Sequence, residues 1–317
     1  MKRRLFLYWS LVVCSVPFWG CNAPKEASGV VTPPVTPKQD GYPRTITDSR
    51  GKQLVLNTRP MRIVSLTPSN TEILFALGLG DKVLGVTTAC DYPPEATQKP
   101  KIGGFQINTE AVLAQNPDLV VAMAGLNGRA IEALDKTKVP LLVLSANSVQ
   151  ETFDAINLVG TATGTEAEAK TLTTQMHDRI DKVALANKNS ANQPRVLMLY
   201  GVSPIYTTGP KSYLHEVITL AGGKNAVEQP VPGDTLTTEQ VIMLSPDVIV
   251  AGKEVVTQAK QVPGWATGVL AVRKGQFFQP KSDTVLVRPG PRLPQAVEEL
   301  ATYLRGIKPE ASAPKSP

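Results

Sequence analysis

The residues that could carry chemistry in this 317-residue chain are few and scattered. There are two histidines, His177 and His215, and three cysteines, Cys14, Cys21 and Cys90. His215-Glu216 is not followed by a second histidine four residues after the first, so the zinc-protease pattern is missing. Structural or catalytic zinc needs clustered His, Cys or carboxylate ligands, and no such spacing occurs, so no resident metal is expected. Gly78-Leu-Gly80 lacks the third glycine of a dinucleotide loop, and Gly209-Pro-Lys-Ser212 breaks the order of a P-loop. No serine sits in a Gly-x-Ser-x-Gly elbow, and Cys90 is a single thiol with no evident base. The expectation is a protein with no catalytic residues and no cofactor of its own.

Binding chemistry is better supplied. Tyr92, Phe105 and Tyr206 offer rigid aromatic faces on which a macrocycle or chelate can stack. Arg129 and Arg288 offer planar guanidinium forks for a carboxylate or phosphate, the alternative for Arg129 being a solvated helix start. The segments 67–70 and 89–92 add Ser69, Asn70 and Asp91. For these side chains to converge, the turns that carry them must share one edge of a sheet.

The chain supplies such an edge twice. Apolar runs at 62–66, 83–87, 118–123 and 141–144 alternate with helical stretches at 71–77, 109–115 and 129–136. Pro68-Ser69-Asn70 reads as a turn, and Gly78 as a left-handed C-terminal cap. Alternation of this kind predicts a mainly parallel sheet covered by helices. The grammar restarts with strands at 196–200 and 247–250 and helices at 213–220 and 293–304. Between the halves, Leu172, Met176, Ile180 and Val183 recur at three- and four-residue spacing, predicting one amphipathic helix over 165–188 of about 36 Å. The fold class expected is α/β, with two Rossmann-like lobes of mainly parallel sheet joined by one long connecting helix. In open α/β sheets, ligands bind outside the carboxyl ends of the strands, where these turns fall.

The halves also repeat each other. Glu110 precedes Pro117-Asp118 by seven residues, and Glu239 precedes Pro246-Asp247 by the same interval. Glu72 precedes Gly78 by six, as Glu216 precedes Gly222. Two matched elements in the same order imply lobes of equivalent construction.

The N-terminus speaks to compartment. Lys2, Arg3 and Arg4 precede an uncharged apolar run from Leu5 to Trp19, shorter than the roughly 20 residues of a membrane span and suited to a signal sequence. Gly20-Cys21 resembles the end of a bacterial lipobox, in which the cysteine is lipidated; ordinary cleavage and a retained anchor are the alternatives. The domains expected are a signal peptide over 1–21, a flexible Pro-rich linker over 22–41, a ligand-binding lobe over 42–160, the connecting helix over 161–190, a second lobe over 191–308 and a disordered tail over 309–317. Loss of the leader removes three of the basic residues behind the net charge of +6, and no basic cluster suggests a nucleic-acid partner. With Cys14 cleaved and Cys21 lipidated, Cys90 has no partner for a disulfide.

A family resemblance now covers nearly everything after the linker. Arg62-Ile-Val-Ser-Leu-Thr-Pro-Ser-Asn-Thr-Glu72, Asp91-Tyr-Pro-Pro94, Asn116-Pro-Asp-Leu-Val-Val121, Gly209-Pro-Lys-Ser212, Ala221-Gly-Gly-Lys-Asn225 and Arg288-Pro-Gly-Pro-Arg292 resemble the helical-backbone (class III) periplasmic binding proteins. The segments around Asn70-Thr71-Glu72 and Asp91-Tyr92-Pro93 are most similar to the cobalamin-binding type. The resemblance implies a cobalt- or iron-containing chelate as ligand: cobalamin, or else a ferric siderophore or haem. It also implies an ABC permease dimer with its ATPase subunits as partner, with Glu110 and Glu239 docking on the two permease subunits. The location implied is the periplasmic side of the cell membrane, anchored through Cys21. A chelatase-like two-lobe enzyme is the alternative from another class.

Overall fold

The computed structural model describes residues 41–308, apart from Asn189, Ala191 and Asp283. The expected leader with Cys21, the linker up to residue 40 and the tail over 309–317 lie outside the described residues. The described chain opens with an antiparallel hairpin, β1 (Arg44–Thr47) against β2 (Gln53–Leu56). The first lobe then runs β3 (Ile63–Ser65), α1 (Pro68–Ala76), β4 (Val83–Gly85), α2 (Thr109–Ala114), β5 (Leu119–Met123), α3 (Gly128–Leu134) and β6 (Leu141–Leu144). Two helices follow, α4 (Val149–Thr163) and α5 (Glu166–Asn187). The second lobe begins with β7 (Arg195–Met198), β8 (Ile205–Tyr206), α6 (Tyr213–Leu220), β9 (Lys224–Asn225) and β10 (Thr235–Leu236). It continues through α7 (Thr238–Leu244), β11 (Val248–Val250), α8 (Lys253–Ala259), α9 (Trp265–Gly268), α10 (Leu270–Arg273), β12 (Phe277–Phe278) and α11 (Leu293–Leu304).

The two main sheets have one topology. The first is ordered β4-β3-β5-β6 and the second β9-β7-β11-β12, both wholly parallel. Counted within each lobe, the strand order is 2-1-3-4 in both. Every residue of β5 is buried, as a strand covered by helices on both faces must be. The Pro-Asp repeat has a structural cause in this arrangement. The Asp118 carboxylate accepts the backbone N–H groups of Met61 and Arg62 at 2.8 Å each, and Asp247 accepts that of Arg195 at 2.8 Å. Each aspartate fixes the start of its lobe's first strand against the start of the third.

Two local expectations are corrected. The first helix does not open at Thr71: Thr67 is its N-cap, accepting the Asn70 N–H, and Pro68 opens the helix. Proline is tolerated there because the N–H it lacks would have had no helical partner. Ser69 and Asn70 therefore lie inside α1, not in a turn. The second correction is α4, which runs ahead of the connecting helix and takes up residues assigned to the 161–190 segment. Ser148 accepts the Glu151 N–H at 3.0 Å, and Gly164 ends the helix in the left-handed conformation at φ +66°. The Ser148-x-x-Glu151 pattern is a legible start signal.

α5 carries the expected stripe, with Ala169, Met176 and Ile180 buried and Leu172 and Val183 packed at its edge. It packs on α4, α6 and α11. A Cβ on Gly160 of α4 would sit 2.6 Å from that of Ala169, so only glycine lets the two helices approach this closely. One buried cluster consequently extends from Ile63 and Leu74 through Val159 and Met176 to Val217 and Leu300, joining both lobes across α5. Among the described residues, no helix is long and apolar enough to cross a membrane.

Candidate functional site

The loops at the carboxyl ends of both sheets present large apolar side chains to solvent. Tyr92, Phe105 and Leu126 come from the first lobe, and Tyr200, Tyr206 and Val287 from the second. Hydrogen bonds hold several of these loops in place. The Asn127 side chain accepts the Met123 N–H at 2.9 Å and donates to the Leu66 carbonyl at 3.2 Å, tying the loop after β5 to the end of β3. On the other side, Thr207 donates to the Met198 carbonyl at 2.8 Å, and Tyr206 pairs with Thr235 in a short antiparallel ladder. Phe105 is 96% exposed, and Arg129 is exposed near the start of α3. Tyr200 was not singled out from sequence. It is half-exposed, and desolvation, only partly offset by a hydrogen bond with Thr208, pushes its pKa up to about 12.

Where the lobes meet, four charged side chains interlock. Glu72 of α1 has a side chain only 1% exposed. It accepts hydrogen bonds from Arg292 Nε at 2.8 Å and Nη2 at 2.6 Å, and from Arg288 Nη1 at 3.3 Å. Arg288 also pairs with Asp91 and donates to the Ala89 carbonyl at 3.0 Å. The Arg292 guanidinium lies over the Tyr92 ring, 4.3 Å from its centroid. Burial would raise the Asp91 pKa, but the hydrogen bond and charge of Arg288 outweigh it and hold the carboxyl below its usual value. A cavity of about 520 Å³ opens beside this cluster, lined by Glu72, Phe75, Tyr92, Glu95, Arg179 and Arg292.

The structure thus brings Asp91, Tyr92 and Arg288 together, with the Ser69 carbonyl facing Gly290 across the seam. It gives Asn70 a different part. That residue is fully buried, and its amide donates to the Val121 carbonyl at 3.2 Å, so it ties α1 to β5. The Arg288 guanidinium is committed to Glu72, Asp91 and Ala89 instead of standing open to a ligand anion. Glu72 was read as part of a motif and of a repeat, and Arg292 as part of a motif, neither of them as a site residue. A glutamate among the otherwise apolar and small residues of α1 was the signal available.

The repeated glutamates both stand on exposed helix starts. The caps are Asn108, accepting the Ala111 N–H at 3.0 Å, and Thr237, in a capping box with Gln240. Glu110 and Glu239 sit two residues after their caps and face solvent. The Glu239 carboxyl is held below its usual pKa by its own backbone N–H and the Thr237 hydroxyl.

Two parallel lobes of one topology on a single helical spine, with facing loops at the strand ends, define a substrate-binding protein. The sequence profile of the family described as Periplasmic binding protein matches residues 63–284, and the chain belongs to that family. It is 33% identical over 309 residues to the uncharacterized ABC transporter substrate-binding lipoprotein YvrC of Bacillus subtilis, covering 95% of this chain and 97% of that one. Crystal structures of the periplasmic vitamin B12 binding protein BtuF of Vibrio cholerae and the periplasmic heme-binding protein RhuT of Roseiflexus sp. RS-1 each superpose with a TM-score of 0.69 at 29% identity. BtuF matches 78% of this chain and 97% of its own length; RhuT matches 77% and 98%. The protein is a substrate-binding component of an ABC transporter.

Proposed function

We propose that the protein captures cobalamin, or a related metal chelate, between its lobes and delivers it to a permease dimer. The observation that carries this reading is the set of aromatic and apolar side chains presented by both lobes at the strand ends: Tyr92 and Phe105 on one, Tyr200 and Tyr206 on the other. Flat rigid surfaces of this kind gain contact area at little entropic cost. The similarity to vitamin B12-binding proteins supports it. Calorimetric titration with cyanocobalamin should give one site per chain in the nanomolar-to-micromolar range; absence of heat refutes the cobalamin assignment.

A haem or ferric chelate is the second reading, and one observation favours it. Trp265 is fully buried, so the exposed aromatic residues of the strand-end loops are tyrosines and Phe105. A phenolate can ligate iron. Titration with hemin, followed by its absorbance, separates the two.

Docking follows from the same frame. Glu110 and Glu239 occupy matched positions on pseudo-equivalent lobes, as two identical permease subunits require. Replacing both with alanine should abolish transport and leave ligand affinity unchanged; a loss of affinity refutes the assignment. Export and lipid anchoring at Cys21 complete the reading, and mass spectrometry of the membrane-bound form tests them.

A further inference from the structure

The second repeated pair of glutamates has a use that the binding reading does not absorb. Glu72 on α1 of the first lobe reaches across the seam to Arg292, the N-cap residue of α11. Glu216 on α6 of the second lobe reaches the other way, accepting the Val149 N–H, the first of α4, at 2.7 Å. The helices reached are equivalent, since α4 follows the fourth strand of the first sheet and α11 the fourth strand of the second. The helices they depart from are equivalent too, each joining the first and second strands of its sheet. Ser148 takes the Glu151 N–H, which leaves the Val149 N–H as an orphan donor for Glu216. A carboxylate there is also favoured by the helix dipole. Tyr213, one turn before Glu216, is buried too, and burial, then the Glu72 charge, pushes its pKa up.

We infer that Glu72 and Glu216 are positioning residues, a pair of pseudo-twofold struts that set the spacing of the two lobes before any ligand arrives. Each strut crosses from one lobe to the spinal face of the other. The buried cluster along α5 fastens the lobes at the spine, and the two struts add a polar crossing in each direction that holds the cleft at one width. A preformed cleft spares the ligand the cost of ordering it.

Hydrogen exchange of the full chain, without ligand, tests this independently of the cobalamin reading. Glu216→Ala should speed amide exchange on the order of tenfold, the loss of one charge-assisted hydrogen bond, at 149–152 and also at 288–295 across the seam. Glu72→Gln should speed it at 149–152, where it touches nothing. Glu216→Gln keeps an acceptor for the Val149 N–H and should stay within about threefold of the parent at both places. In the two Glu216 variants β5 and β11 should exchange as in the parent, and in Glu72→Gln, which also loses a buried charge, the rise at 149–152 should exceed any rise in β5 and β11. A rise confined to the first turn of α4 would make Glu216 a local cap and overturn the proposal. A rise at 149–152 and 288–295 no larger than that in β5 and β11 would report general destabilisation and overturn it equally.

Discussion

Glu72→Ala removes the acceptor shared by two guanidinium groups whose side chains are each 10% exposed. Three hydrogen bonds go with it, at 2.6, 2.8 and 3.3 Å. Arg288 keeps Asp91 and the Ala89 carbonyl, but Arg292 is left with the Ser282 and Thr284 hydroxyls at 3.4 Å each and the face of Tyr92. Stranding a buried charge in this way costs about 3–5 kcal/mol. At this chain size each kcal/mol lowers the melting temperature by roughly 2–4 °C, so a fall of about 6–20 °C is expected. Urea unfolding followed by far-ultraviolet circular dichroism measures the loss directly. The cycle with Arg292→Ala and the double variant isolates the pair, which should be coupled by at least about 1.5 kcal/mol. A cost for Glu72→Ala below about 1 kcal/mol, or single losses that simply add, would refute the reasoning.

Other outcomes follow from the same geometry. The Asp91 pKa is depressed in the folded chain, so its stabilising contribution is present above the unfolded value of about 3.9 and disappears as pH falls through the folded one. Stability measured from pH 6 down to pH 2 should therefore fall less steeply below about pH 4 in Arg288→Met than in the parent. Trp265→Ala should cost about 3–5 kcal/mol in denaturant unfolding, as for any large core aromatic. Trp265→Phe should cost under about 1.5 kcal/mol, because it also removes a buried indole N–H that has no hydrogen-bond partner among the described residues. Gly160→Val should force α4 off α5 and destabilise by about 1–3 kcal/mol, read as a lowered urea midpoint. Glu110→Ala and Glu239→Ala singly should each weaken delivery in a reconstituted transport assay, and the gap to the parent should narrow at high salt, where the parent's own charge pairing is screened.

Much of the frame was legible in the sequence because it is written in short-range signals. Period and length mark β5 and β6 as buried strands, and the 172–183 stripe marks α5 as a helix with one packed face. Gly78 and Gly222, both at positive φ, mark where α1 and α6 end. The repeat of Glu-to-Pro-Asp spacing showed that two such units exist, and the aspartates proved to clamp equivalent strands. The start of α1 was misplaced because Pro68 punctuates turns as readily as it opens helices, and the context that decides lies in the Thr67 cap.

The site was legible only as a set of loops. Which side chains face a ligand and which face the other lobe depends on pairings between residues 67 to 220 positions apart, such as Glu216 with Val149 and Arg292 with Glu72. Local periodicity carries no information about such pairs. Composition and spacing by themselves determined that this chain builds two parallel α/β lobes on one helix, since hydrophobic burial enforces those patterns strand by strand. Only the tertiary structure decided that Arg288 and Arg292 close the seam, because a buried guanidinium must find its carboxylate wherever the fold places one.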